Sequence, residues 1–351
     1  MAYSNTVGQT VISVQTLIDH GARRAGKFAE ELTIEQVQSA KESLFYVLSN
    51  LINQGIQYFA IKKHVFGMTP GKSEYLLPIG GNDVLNALYR TMQRPTGGAA
   101  SSSGSAGLAF DNNTATSDVQ TAPNGFISID YGNSPVYAGS IGILPAVSGS
   151  FHILLEWSND GSTWNTLLDT GVTTWASGEW LWYDITSGVT ARYYRMRETA
   201  GGTLNVAEFY VGNTSTEITM ARLNRDDYTN LPNKNFEANQ PFQFWFNRTI
   251  PQATITLWPV PSDPFVQMTV WYSAYVEDVG ALAGQLAIPD RWYLAIQCML
   301  AHQMSQELPN VEIARIQYLE AQAEKYFNMA EQEERDRSPL YIQPQIGVYT
   351  S

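Results

Sequence analysis

The spacing of apolar residues divides the chain into helical ends and a strand-rich middle. A run beginning at Thr33 has apolar residues at helical spacing, and Gln36 follows three residues later, as in a capping box at a helix amino terminus. The same spacing predicts a helix over 11–23, which we expect to lie against the second helix as an antiparallel pair. Two more helices are predicted after residue 290, with a break at Pro309 and with Asn310 as the cap of the last one.

Alternating apolar and polar residues predict strands between these helical ends. They occur over 73–77 and 84–92, and again in TEITMARL, FQFWFNR, ATITLWPVP and VQMTVWYSAYV. The tract RPTGGAASSSGSAG lies between the two groups, and its glycines and serines predict a flexible joint. We therefore interpret residues 97–213 as an insertion within one β-rich domain.

The insertion has a strand pattern of its own. FHILLEWSNDGSTWNTL predicts a hairpin in which Ile153, Leu155 and Trp157 share one face and Asn-Asp-Gly forms the turn. WLWYDI and ARYYRMRET add further strands, and the second places Arg195 and Arg197 on the same face. This pattern predicts an antiparallel β-sandwich.

Composition excludes several classes of function. The net charge of −12 argues against general affinity for nucleic acid, because such binding needs clustered Lys and Arg. The single cysteine, Cys298, excludes an internal disulfide, and no stretch approaches the roughly 20 apolar residues that span a bilayer. The charge is uneven, since residues 1–95 have nine basic and seven acidic side chains, whereas 96–213 have three and ten.

No enzymatic site is predicted. GMTPGKSEY contains Gly-Lys-Ser, but only three residues separate Gly67 from Gly71 where a phosphate-binding loop has four, so Pro70-Gly71 is interpreted as a type II turn before a strand. His302 follows Cys298 by one helical turn, which is more typical of a packed helix face than of a metal site. Asp226-Asp227 is interpreted as part of a solvated loop, and Glu331, Glu333 and Glu334 as a charged helix end. No serine or cysteine has the sequence context of a nucleophile. We expect the protein not to be an enzyme.

Three segments outside the insertion resemble one family. ISVQTLIDHGARRAGK, LNRDDYTNLPNK and IPDRWYLAIQCMLAHQMS, in this order, resemble the head-to-tail adaptors of short-tailed bacteriophages, the tail tubular protein A family. The resemblance implies a homo-oligomeric ring of about twelve copies at the portal vertex of a virion, at the capsid–tail junction. It also implies contacts with the portal protein and the tail nozzle protein, with tail fibres as a further partner, and passage of double-stranded DNA through the channel without specific binding. No contact with a membrane is expected.

The carboxyl-terminal segment 338–351 contains two prolines but keeps several apolar residues, unlike most disordered tails. Two interpretations stay open: an arm that finishes folding on a partner, or a strap on its own domain. The adaptor resemblance implies that the arm faces the portal through Leu340, Tyr341, Ile342, Ile346, Val348 and Tyr349.

The insertion resembles a second family. LAFDNNTATSD, EWSNDGSTW and NVAEFYVG fall in the order found in discoidin-like, galactose-binding-type domains. Many such domains hold a structural calcium ion, and the resemblance implies a ligand set of the Leu108 carbonyl, the Asp111 carboxylate, the Asn113 carbonyl, Thr116 and Glu208. The alternative is an Asx-type turn that ties the loop to itself through Asp111.

Members of this family often bind sugars through aromatic residues in loops. Trp164, Trp175 and Trp180 are the candidates here, because they stand beside turn residues, where a ring could stack on a pyranose. A place in the core of the sandwich is the alternative for each.

The expected fold is therefore α+β and multidomain, with helical pairs at both ends around a small β domain that is interrupted by an antiparallel, jelly-roll, discoidin-like sandwich. The expected function is a structural virion protein, a head-to-tail adaptor whose accessory sandwich binds a glycan or a partner. The alternative is a tail-associated adhesin that binds host glycans. The expected divisions are 1–96 (helices and first β part), 97–213 (sandwich), 214–289 (second β part), 290–337 (helices) and 338–351 (arm).

Overall fold

The computed structural model describes residues 12–51, 58–93, 97–275, 279–286 and 288–334. The chain forms two compact units, one built from both chain ends (Met1–Ile61 with Tyr275–Ser351) and one from Lys62–Ala274. The protein thus combines helices with mainly antiparallel sheets, as predicted. The helices are α1 (Val14–Ala25), α2 (Ile34–Leu51), α3 (Arg225–Thr229), α4 (Asp290–Glu307) and α5 (Ile313–Glu333).

Helix α4 is the centre of the first unit. It contacts α1, α2 and α5, whereas α1 and α2 share fewer contacts with each other than either shares with α4. The predicted antiparallel pair of α1 and α2 is therefore not the main packing, because the α4 segment, far away in sequence, lies against both helices. The shared core includes Ile18, Leu44, Leu48, Trp292 and Ile296, all almost fully buried.

Local sequence signals predicted the start of α2 correctly but not the N-cap residue of α5. The backbone N–H of Thr33 donates to Gln36 Oε1 (3.0 Å), and that of Gln36 donates to Thr33 Oγ1 (3.2 Å), which confirms the capping box of α2. Asn310 is not the cap of α5, because it has a φ of +61° in the preceding turn and Glu312 is the N-cap residue. A positive φ is incompatible with the extended backbone of an N-cap.

The second unit is built mainly from strands, which belong to two parts described below. Their bounds are β1 (Ile61–Gly67), β2 (Glu74–Leu76), β3 (Gly81–Gln93), β4 (Ala99–Ser102), β5 (Asp118–Val119), β6 (Phe126–Asp130), β7 (Val136–Pro145), β8 (Gly149–Ser158), β9 (Asn165–Trp175), β10 (Leu181–Ala191), β11 (Tyr193–Glu198), β12 (Asn205–Thr219), β13 (Ala221–Leu223), β14 (Glu237–Ala238), β15 (Gln243–Asn247), β16 (Thr254–Trp258), β17 (Val260–Pro261) and β18 (Val266–Ala274).

Residues from β4 to the first half of β12 form the predicted antiparallel sandwich. One sheet has the order β4-β6-β11-β8-β9, and the facing strands are β5, β12, β7 and β10. The predicted hairpin is confirmed, since β8 pairs with β9 and Gly161 in the turn has a φ of +73°. Both sheets contribute to one core, which includes Ile127, Ile141, Ile153, Leu155, Tyr194, Met196 and Phe209.

Most of the remaining strands of this unit form a second core between two sheets, ordered β1-β18-β3-β12 and β13-β15-β16-β2. We call this part the host. Strands β14 and β17 pair with each other in a separate two-stranded sheet. The turn predicted from GMTPGKSEY is confirmed, because the backbone N–H of Lys72 donates to the Thr69 carbonyl (3.1 Å) and Gly71 has a φ of +77°. Strand β2 follows it.

Strand β12 belongs to both the sandwich and the host. Its first half pairs with β7 and its second half with β3, so that the sheet continues from one part into the other. The predicted boundary between Asn213 and Thr214 falls inside this strand. Asn213 lies opposite Gln93, the last described residue before the insertion, in one antiparallel ladder.

The Gly/Ser tract is not a flexible joint throughout. Its residues Ala99–Ser102 form β4, which pairs with β6 at the edge of the five-stranded sheet. Small polar residues can join a sheet edge when a partner strand supplies hydrogen bonds, and this partner is remote in sequence. The prediction of a flexible joint is therefore wrong for these four residues.

Candidate functional site

Strand β11 lies at the centre of the five-stranded sheet, between β6 and β8. Its side chains alternate: Tyr194 and Met196 point into the core, and Arg195 and Arg197 lie on the opposite face, as predicted. We call that opposite face, on β6, β11, β8 and β9, the outer face of the sandwich. It presents polar and aromatic side chains next to one another.

Two arginines on the outer face share one carboxylate. Arg195 lies directly opposite Glu156 of β8 and donates from Nε to Oε2 (2.6 Å). Arg197 donates from Nε to Oε2 (3.2 Å) and from Nη2 to Oε1 (3.2 Å) of the same carboxylate. Glu156 is only 5% exposed beneath them, whereas the Arg197 side chain remains 36% exposed. The result is a fixed cluster of two cations and one anion.

This geometry fixes the charges of the cluster. Burial opposes ionisation of Glu156, but the hydrogen bonds from Arg197 and Arg195 outweigh it and hold the pKa of Glu156 below its ordinary value. The bond to Glu156 raises the pKa of Arg197. Glu156 and Arg197 are therefore both charged at neutral pH.

Trp164 places an indole beside this cluster. It ends the loop between β8 and β9 and is partly exposed. The guanidinium carbon of Arg195 lies 4.0 Å from the centre of its ring, and the Tyr193 ring meets it edge to face at 6.4 Å. These contacts hold the indole in place at the surface, next to groups that can donate and accept hydrogen bonds.

The other two predicted sugar-contacting tryptophans are buried. Trp175 is 1% exposed, and its ring packs on Phe151 with 4.4 Å between the ring centres. Trp180 is 8% exposed, stacks on Trp182 and donates from Nε1 to the carbonyl of Pro264 in the host (2.6 Å). Both rings are buried and packed on neighbouring aromatic rings, which contradicts the sugar-contact prediction for these two residues.

The loop predicted to bind calcium brings three of the proposed ligand atoms together. Thr116 Oγ1 donates to Asp111 Oδ2 (2.7 Å) and to the carbonyl of Asn113 (2.9 Å). The backbone N–H of Asn113 also donates to Asp111 Oδ1 (2.9 Å), which is the Asx-type turn of the alternative interpretation. Carboxylate, carbonyl and hydroxyl oxygens are also the type of ligand that calcium takes, so both interpretations stay open.

The remaining predicted ligands lie around the same loop. Leu108 belongs to the short 3-10 helix Ala106–Ala109 that precedes it. Glu208 of β12 is buried, and it is one of the residues that line a cavity of about 420 Å³, together with Phe110 and Asn112 of the loop. The oxygen-rich donor set suits calcium chemically, and its role as a metal site stays a prediction.

Calcium should stabilise the sandwich if these residues bind it. At about 100 times its Kd, an ion that binds only the folded state contributes about 2.7 kcal/mol, or roughly 5 to 10 °C in Tm for a unit of this size. We expect a chelator to remove this gain in thermal unfolding of the wild type, and Asp111→Ala to abolish the response to calcium.

Asp160→Ala is the matched control for this prediction. Asp160 is also an exposed loop aspartate that accepts bonds from nearby backbone N–H groups, here those of Ser162 (2.8 Å) and Thr163 (2.7 Å). That variant should keep the full response to calcium. If the wild type melts at the same temperature with calcium and with chelator, Asp111 and Glu208 have only structural roles.

The structure gives less information on the predicted arm, on other metal sites and on membrane-spanning helices. The six apolar residues of the predicted arm, Leu340, Tyr341, Ile342, Ile346, Val348 and Tyr349, lie outside the described residues. Within the described ranges, no group of three or more His, Cys, Asp or Glu is arranged to hold a metal ion. In the same part of the chain, the helices are too short or too polar to cross a bilayer.

The sequence interpretation did not identify Arg195, Arg197 and Glu156 as a site. A signal was present, because all three basic residues of 96–213 fall between Arg192 and Arg197. The position of Glu156 opposite them depends on strand register, and Arg195 and Glu156 are 39 residues apart in sequence.

Comparison with known proteins gave matches among solved structures alone: no protein-family model and no curated protein matches the sequence. The chitosan-binding module 1 of a chitosanase/glucanase from Paenibacillus sp. IK-5 is 22% identical, with 36% of this chain and 99% of that chain covered and a TM-score of 0.29. The family 32 carbohydrate-binding module of C. perfringens NanJ, in complex with galactose, is 20% identical, with 33% and 91% covered and a TM-score of 0.28.

A third match is the F5/8 type C domain of a Bacteroides fragilis protein, which is 13% identical, with 35% and 95% covered and a TM-score of 0.30. Because these TM-scores are low, the sandwich is identified from its own strand order and core.

Proposed function

We propose that the sandwich binds saccharides on its outer face, and that the rest of the chain is a scaffold that holds it. The observation that carries this proposal is the placement of the partly exposed Trp164 indole against the Arg195–Glu156–Arg197 cluster. An aromatic face packs on the C–H groups of a pyranose, and planar charged groups beside it hydrogen-bond its hydroxyls.

Rigidity of the site supports the same proposal. Arg195 and Arg197 extend from a central strand that is paired on both sides, and Glu156 locks both guanidinium groups. A ligand that meets groups already in position loses less free energy in ordering them. Strand β12 in turn pairs with both β7 of the sandwich and β3 of the host, and so fixes one to the other.

A glycan array probed with the full chain tests this function. We expect the wild type to bind a subset of saccharides and Trp164→Ala to lose about tenfold in affinity, or about 1.4 kcal/mol. Trp271→Ala is the control, because this tryptophan lies in the host and is 40% exposed. Absence of binding by the wild type, or equal binding by Trp164→Ala, would overturn the proposal.

Assembly into an adaptor ring is a second candidate, suggested by the family resemblance and by exposed apolar side chains on two helices. Helices α2 and α5 of the first unit expose large apolar side chains, a feature typical of surfaces that become covered on association. They are Phe45, Tyr46, Ile313, Tyr318 and Met329.

Native mass spectrometry of the full chain tests this second candidate. A ring of about twelve copies supports it, whereas a monomer at all concentrations counts against it. The portal, nozzle, fibre and DNA contacts, the virion location and the absence of enzymatic activity stay predictions. The adhesin alternative also includes saccharide binding by the sandwich. It differs from the adaptor candidate in the location of the protein, which would be on the tail instead of at the capsid–tail junction.

A further inference from the structure

The basic side chains of the sandwich lie on strand β11 and at the residue just before it. All three Lys or Arg residues of 96–213 lie between Arg192 and Arg197, against ten acidic residues elsewhere in that range. Arg192 is neutralised by Asp130, to which it donates from Nε (2.6 Å) and Nη2 (2.7 Å). The two arginines of the outer face, Arg195 and Arg197, both form their ion pair with Glu156.

One carboxylate does not neutralise two guanidinium groups. Among the described residues, Glu156 is the only acidic side chain that forms an ion pair with Arg195 or Arg197. A guanidinium has five N–H donors, and the bonds to Glu156 use one from Arg195 and two from Arg197. The cluster therefore keeps a net positive charge and N–H groups that can meet a ligand.

Nearby acidic groups are already engaged by other partners. Asp169 on β9 accepts a bond from the ring of His152 (2.6 Å, Asp169 Oδ1 to Nε2) and from the backbone N–H of Gly171 (2.9 Å). Asp160 accepts bonds within the hairpin turn. Their charges, and the net charge of −12, repel an anion at a distance, but exposed charges are screened beyond about 8 Å at physiological ionic strength. Direct contact with the arginines then decides binding.

We infer that the outer face selects anionic saccharides, with the acidic group of the sugar placed on Arg197 and the sugar ring beside Trp164. This inference rests on the proposed saccharide-binding function and specifies its ligand class. The planar fork of an arginine matches carboxylates and other oxyanions, and uronate or sulfate groups both supply this chemistry. Arg197 is the more exposed of the two arginines, with 36% of its side chain accessible against 19% for Arg195.

Affinity electrophoresis of the full chain in matched pairs of polysaccharides tests the inference. Polygalacturonate is compared with its methyl-esterified form, and a sulfated galactan with its desulfated form. We expect at least about tenfold tighter binding to one or both anionic forms. The carboxylate and sulfate arms identify which anion the face prefers.

Variants then assign the selectivity to this site. Arg197→Gln should remove most of the preference for the anionic form, and Arg197→Lys, which keeps a cation beside Glu156, should retain part of it if the first variant fails to fold. Arg222→Gln is the control, since Arg222 is an exposed arginine of the host, paired with Asp83. It should bind as the wild type does.

The outcomes separate the two proposals. Equal binding to neutral and anionic forms overturns the inference and leaves the saccharide-binding function in place. Failure to bind either form in both pairs, together with an empty glycan array, overturns the proposed function. A preference that Arg197→Gln and Arg197→Lys leave unchanged overturns the assignment to this face.

Discussion

Trp180→Ala should lower the stability of the Lys62–Ala274 unit by about 3 to 5 kcal/mol, the usual range for removal of a buried tryptophan. The Trp180 ring stacks on Trp182 with 4.7 Å between ring centres and meets Phe265 of the host edge to face at 5.9 Å. The backbone of Gly67 lies so close that a Cβ there would be 2.3 Å from that of Trp180. Alanine would leave a cavity where sandwich and host pack together.

Thermal unfolding measures this loss, which corresponds to roughly 6 to 20 °C in Tm for a unit of this size. Trp180→Phe is the matched variant, because it keeps an aromatic ring and loses the bond from Nε1 to the Pro264 carbonyl. We expect it to cost about 1 kcal/mol, with some further loss from the smaller ring. A Tm for Trp180→Ala near that of the wild type would mean that sandwich and host do not depend on this packing.

Arg90→Met should lower the stability of the same unit by about 2 to 3 kcal/mol, less than the 3 to 5 typical of a fully buried ion pair because the partners are partly exposed. Arg90 of β3 is 4% exposed. It donates from Nη1 to Asp184 of the sandwich (2.7 Å) and from Nη2 to Glu217 of β12 (2.6 Å). Methionine fills similar volume but leaves both carboxylates without this partner.

Urea unfolding at several pH values checks this prediction. Burial of Asp184 raises its pKa, but hydrogen bonds from Lys63 and Arg90 outweigh this and hold it below the ordinary value of 3.8. A lowered pKa in the folded state contributes stability above 3.8, and this contribution is lost as the pH falls through the folded value. Arg90→Met should therefore show a smaller loss of stability on acidification.

Arg222→Met serves as the control for Arg90→Met, because its guanidinium pairs with Asp83 at an exposed position. Surface pairs of this kind contribute about 0 to 1 kcal/mol. Equal losses for the two variants would show that burial of Arg90 between sandwich and host adds nothing to stability.

Local sequence signals predicted the elements that depend on near neighbours. The capping box of Thr33 and Gln36, the turn at Pro70-Gly71 and the alternation of Ile153 and Leu155 each involve residues within a few positions of one another. Their hydrogen bonds or side-chain directions follow from backbone geometry alone, so the sequence pattern was sufficient.

Features set by remote contacts could not be predicted in the same way. Trp164 and Trp175 both stand near turn residues, yet one lies at the surface against Arg195 and the other packs on Phe151 in the core. The direction of each ring depends on which strand lies beside it. The pairing of β4 with β6 and the passage of β12 from sandwich to host are also contacts between segments far apart in sequence.

A crystal structure of the full chain with an oligosaccharide identified by the glycan array tests the central claim most directly. The proposed function predicts a sugar ring against Trp164, with its polar or acidic groups within hydrogen-bond distance of Arg197. A saccharide bound elsewhere on the sandwich, for example at the loop around Asp111, with the outer face bare, would contradict it.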